Sequence, residues 1–153
     1  MKRIEVKLGL SAVAPLLDVI KEAADSLAGR LAVALPDFAQ DGELRDVWAG
    51  PLLESQNTGL AQLLGLFDSD FFKTGVIAFD EENATSLLRA CAAVRLQVRT
   101  QFLTALPDEA METGAVDPEA LDDGTRKALM CYLFLATMQE VIIQHLENSI
   151  LEG

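Results

Sequence analysis

Arg95 is the residue whose type and position could do most chemistry in this chain. Read as a helix, residues 81 to 106 place Ala84, Leu87, Leu88, Cys91, Val94, Val98, Phe102 and Leu106 on one face. Arg95 falls about 20° from the centre of that stripe, Arg99 stands one turn on at its edge, and Arg89 points away. An arginine keeps its proton at any accessible pH, so burial demands a carboxylate, backbone carbonyls or an anionic ligand. Two readings stay open. In one, Arg95 is an internal ion pair or caps carbonyls. In the other, Arg95 and Arg99 bind a carboxylate or phosphate in a helical groove. Gln139 is a second polar intruder, in a stripe of Ala128, Leu135, Ile142 and Leu146. A buried amide needs partners, and Arg95 on a neighbouring helix is the expected one. Arg95, Arg99 and Gln139 are therefore the candidate ligand-binding residues.

The other reactive residue types do not assemble. His145 lies about 100° off its stripe and lacks a second ligand at i±3 or i±4, which makes it a surface or rim histidine. Cys91 and Cys131 sit forty residues apart in apolar stretches, where free thiols behave as small hydrophobes. Their usage fits a reducing compartment. Asp68-Ser69-Asp70 reads as a solvated loop, Asp122-Asp123 as a helix start and Trp48 as a core anchor. No catalytic residue, metal ligand or cofactor is expected, and a binding module is the leading expectation over an enzyme.

The elements that must position these residues are mostly helical. Ile4, Val6 and Leu8 alternate with Glu5 and Lys7, the period of a short half-buried strand. Ser11 opens a helix carrying Val13, Leu16, Leu17, Ile20, Ala24, Leu27, Leu31 and Leu35, which Pro36 stops. Asp41-Gly42 starts a short helix with Leu44, Val47 and Trp48, broken at Gly50-Pro51, and a weaker piece runs from Leu52 to Phe67. Asp68 to Lys73 reads as loop, and Gly75 to Phe79 as a second strand paired with residues 3 to 8. Asp80 caps the Arg95 helix, which Pro107 ends. An acidic linker with one turn at Pro118 to Leu121 leads to a final helix from Asp123 or Gly124. Its segment Ala128 to Met138 is apolar nearly all round, as a central helix or an oligomer interface would be. The expected fold is a single mainly α domain over residues 1 to 153. Four to five helices surround a central C-terminal helix, with a small two-stranded β ribbon.

The net charge is −12, and half of the residues are hydrophobic. The acid concentrates in residues 36 to 80 and 107 to 127, while the Arg95 helix is near neutral. Such a field repels phosphates, so neither nucleic acid nor an anionic membrane surface is an expected partner. Lys2, Arg3 and the apolar residues from Leu8 imitate a signal peptide, but Glu5 and Lys7 break the stretch. No run reaches 18 consecutive apolar residues, so no membrane span is expected. A cytoplasmic protein follows, with a protein partner or homodimer as the expected company.

Val76-Ile77-Ala78-Phe79-Asp80-Glu81-Glu82-Asn83-Ala84, leading to Val94-Arg95-Leu96-Gln97-Val98, resembles a bacterial family, the domain-of-unknown-function family twenty-seventeen. In that family a strand leads into a helix bearing Arg-Leu-x-Leu-Gly-x-Arg-Leu. Arg95-Leu96 and Val98 match its first half, whereas Arg99 stands where glycine is usual and Gln101 where the second arginine is. The N-terminal strand and helix, and Tyr132 through Met138-Gln139-Glu140, are also similar. Members are often encoded beside the adaptor of the Clp protease. The resemblance thus implies a role near regulated proteolysis and carries over no catalytic residue.

Overall fold

A computed structural model describes residues 3–29, 31–32 and 42–152, with backbone alone for 42–49 and 148–152. Two strands, β1 (Ile4–Lys7) and β2 (Val76–Phe79), pair antiparallel with Ile4 opposite Phe79 and Lys7 opposite Val76. This is the expected ribbon. After β1 come α1 (Leu10–Val13), a 3-10 turn at Ala14–Leu16 and α2 (Leu17–Leu27), then α3 (Gly42–Gly65) and α4 (Ser69–Thr74). After β2 come α5 (Glu81–Phe102), α6 (Asp108–Thr113), a 3-10 turn at Pro118–Ala120 and α7 (Asp123–Glu152). The chain is mainly α, as its Ala/Leu-rich periodic stretches require.

α5 and α7 form the central pair. α5 packs against α2, α3 and α7, and α7 also meets α2 and the 3-10 turn before it. Ile20, Leu27, Leu63, Phe71, Leu87, Val94, Leu135 and Ile142 fill the interior. α5 begins where its chemistry dictates. The Asp80 carboxylate accepts from the Glu82 and Asn83 amides, the Asn83 side chain accepts from the Asp80 amide, and Glu81 and Glu82 face the positive helix end.

Four expectations about element boundaries are corrected. The first helix ends at Leu27 rather than near Leu35, and Leu31 lies beyond it. The reason is tertiary. The Gln56 amide donates to the Leu27 carbonyl and accepts from the Ala32 amide, and Asn57 donates to the Ala28 carbonyl. The polar run Ser55-Gln56-Asn57, which looked like an interruption, thus closes the end of α2. The expected stop at Pro36 and start at Asp41, and the side chains of Leu44, Val47 and Trp48, lie outside the described residues.

The expected break at Gly50-Pro51 does not occur, because α3 runs through Pro51. A mid-helix proline costs about 3 kcal/mol, which burial of Leu60 and Leu63 further along the same helix offsets. At Gly59 an added Cβ would come within 3.0 Å of the Ser86 carbonyl oxygen, so glycine lets α3 lie close on α5. The third correction concerns Asp68 to Lys73, which is no loop. Asp68 caps α4 by accepting from the Phe71 amide, and Phe71 is buried. Gly75 then takes the left-handed conformation (φ 74°), with Leu8 donating its amide to the Gly75 carbonyl at 2.7 Å. A Cβ there would sit 2.9 Å from the Leu8 carbonyl, so glycine joins α4 to the ribbon. Fourth, α5 stops at Phe102, short of Pro107, for a reason that belongs to Arg99.

Candidate functional site

Arg95 projects from α5 towards α7, where its Nη1 donates to the Gln139 Oε1 at 2.7 Å. The Gln139 amide nitrogen in turn donates to the Leu88 carbonyl at 3.2 Å, back on α5. The expected meeting of Arg95 and Gln139 is therefore present. The guanidinium carbon lies 4.4 Å from the centre of the Tyr132 ring, a cation-π arrangement. Tyr132 is not among the candidate site residues that the sequence offers. Its signal was its spacing, since Tyr132 and Gln139 are two turns apart on one edge of α7.

No carboxylate pairs with Arg95 among the described residues, and its buried Nε has no hydrogen-bond partner. An amide oxygen and a ring face hold the cation without neutralising it. Arg99, one turn on, is held quite differently. It donates to the carbonyls of Leu103 and Leu106, the latter at 2.8 Å, and to the Asp108 carboxylate at 2.7 Å. These bonds close the C-terminal end of α5 and anchor the turn into α6. The structure brings Arg95 and Gln139 together and turns Arg99 towards its own helix end.

His145 is a correction. It is buried at 7% exposure, with its ring edge-on to Phe79 at 5.5 Å and Nε2 unpartnered. A helical wheel shows only the stripe facing the other helices, whereas the ribbon covers a second flank of α7. Cys91 and Cys131 are free and buried. Burial pushes both thiols up to about 12, with the Arg95 charge working against that rise at Cys91 and the Lys127 charge at Cys131. Asp122 caps α7. The Thr125 amide at 2.6 Å holds its carboxyl below the usual range, assisted by the Thr125 hydroxyl. Asp68 and Asp70 stand at the start of α4.

The outer side of the α5–α7 seam mixes exposed apolar residues with Arg89, Glu140 and Glu147. The contacts Leu88–Gln139 and Arg95–Tyr132 set an antiparallel register that brings Ala92 level with Ala136. Both alanines are only partly buried and leave a shallow groove. Helical rotation puts Leu96 on one rim and Leu133 and Ile143 on the other, 44%, 53% and 44% exposed. Met130, 50% exposed, lies on the opposite flank of α7. The most apolar window of α7 has mean hydropathy 1.3, enough by length and composition to cross a membrane, yet only 33% of it is buried. The apolar character that sequence assigned to a central helix is thus shared between core and surface.

The family model described as Domain of unknown function (DUF2017) matches residues 7–146. No curated protein and no solved structure matches the chain.

Proposed function

Since this chain belongs to the domain-of-unknown-function family twenty-seventeen, we propose on physical grounds that it is a non-enzymatic protein-binding module. Its working surface is the outer face of α5 and α7. We further assign it an adaptor role beside regulated proteolysis in the cytoplasm, on the strength of the family's gene neighbourhood. One observation carries the docking reading. Arg95, a permanent cation without a carboxylate among the described residues, lies next to exposed Leu96 on α5 and level with exposed Leu133 on α7. Isolated exposed leucines are ordinary, but two at the level of one partly desolvated guanidinium form the apolar-plus-arginine composition of interaction hot spots.

Photo-crosslinking tests this directly. A photoreactive residue placed at 96 or at 133 should capture the same protein in cells, and one placed at exposed Glu112 should not. Capture from 112 alone, or from none of the three, overturns the assignment.

The unpartnered Nε also favours a second reading, in which Arg95 and Gln139 hold a small anion. Arg99 contributes less to that reading than its spacing promised, because its donors are engaged elsewhere. A thermal shift with phosphate, acetate or citrate that disappears in Arg95→Leu supports it. Equal melting temperatures in all three count against it.

A further inference from the structure

On a chain of net charge −12, two long stretches of α5 and α7 carry basic residues alone. From Asn83 to Pro107, and again from Gly124 to Gln139, the sequence holds Arg89, Arg95, Arg99, Arg126 and Lys127 without a single Asp or Glu. Arg99, Arg126 and Lys127 have carboxylates nearby in Asp108, Asp123 and Asp18. Arg89 and Arg95 have none among the described residues. These two arginines stand on either side of Ala92 in the middle of α5.

Resting on the docking reading above, we propose that this groove receives an amphipathic helix of another protein that carries a carboxylate in its apolar face. Leu96 and Leu133 meet the apolar positions of that helix. The carboxylate meets the charge of the Arg95 guanidinium, whose orientation Gln139 and Tyr132 already fix. A groove between two antiparallel helices has the shape that a third helix fills, by apolar anchors at i, i+3 or i+4, and i+7. A second copy fits poorly. A two-fold contact sets one face against itself, so it brings the unpaired arginines of both copies into one interface between two bodies of net charge −12. A lipid surface also fits poorly, because exposed Glu140 and Glu147 continue the same side of α7.

The probe is a displayed set of 16-residue amphipathic helices, randomised among Glu, Gln and Lys at one position within the apolar stripe and panned on the full-length chain. Selected helices should carry Glu at least tenfold more often than Lys. A synthetic copy should bind tenfold more weakly when that Glu becomes Gln, a change that leaves the protein's own fold untouched. Leu133→Lys, at an exposed position, should abolish binding, and Arg95→Glu should bind the Lys version in preference. Helices that bind through Leu133 without an acidic preference overturn the carboxylate assignment while the docking reading stands. If no helix binds and light scattering shows a dimer that Leu133→Lys dissociates, the occupant is a second copy. Flotation with phosphatidylcholine vesicles, lost in Leu133→Lys, makes it a lipid surface. If no helix binds and neither dimer nor flotation is seen, both this proposal and the docking reading fall.

Discussion

Arg95 and Arg99 are one helical turn apart on α5, and their surroundings could hardly differ more. Arg99 is a structural arginine. Two main-chain carbonyls and Asp108 use its donors, its side chain is 20% exposed, and its bonds end a helix. Arg95 meets one amide oxygen and one ring face, and its charge is left unopposed. The difference shows that a polar residue in an apolar stripe has at least two uses. One satisfies backbone groups that would otherwise be orphaned. The other keeps a charge available at the edge of the core.

The largest effect should come from Arg99→Leu. It strands the Leu106 carbonyl, worth about 1–3 kcal/mol when a buried acceptor is left unmet. It also takes a charged donor from the Leu103 carbonyl, which keeps the Leu106 amide, so the loss should be about 2–4 kcal/mol. Urea unfolding measures it, and an unchanged midpoint would remove the contrast between the two arginines. Arg95→Leu should cost less, about 1 kcal/mol, because it removes one hydrogen bond and a ring contact at a partly exposed seam. A double-mutant cycle with Gln139→Leu should give a coupling of about 1 kcal/mol, and additivity would show that the pair is not energetically linked. A loss of about 3–5 kcal/mol at Arg95 would mean that it has a buried ionic partner after all.

The thiols beneath the seam sharpen the comparison further. At pH 8 neither Cys91 nor Cys131 should react with a disulfide reagent in the native protein, since both are buried and protonated. A thiol raised from about 9 in the unfolded chain to about 12 in the fold keeps its proton where the unfolded state has lost it. The unfolded state then binds fewer protons, so stability falls as pH rises from about 9 towards 12. Replacing both cysteines by alanine should flatten that part of the stability–pH curve, and an unaltered slope would point to other groups. Smallest of all, Leu133→Lys should change stability by no more than about 0.5 kcal/mol, as an exposed substitution does. A large loss there would make Leu133 part of the core and remove the outer rim of the groove.

Much of the architecture follows from local pattern. The alternation at Ile4, Val6 and Leu8, the cap at Asp80 and the start at Asp122-Asp123 were legible because each depends on neighbours within a few residues. So was the proximity of Arg95 and Gln139, because two polar residues in two apolar stripes must satisfy one another. What failed was non-local. Gln56 and Asn57 cap a helix about 29 positions earlier in the chain, and His145 is covered by Phe79 from the ribbon. Periodicity could not anticipate either, because it reports which face of a helix is apolar and not what lies against that face.

The amino-acid order alone therefore determined a mainly helical chain with a β ribbon, an acidic body and a cation within an apolar stripe. Those properties come from propensity, period and charge, which need no knowledge of neighbours distant in the chain. Only packing decided that Arg99 would seal its own helix while Arg95 met Gln139 and Tyr132 without a counter-charge. Packing also left one flank of α7 uncovered. A helix wheel assigns directions, but contact between two wheels depends on how the helices are set against each other, and that is a property of the whole fold.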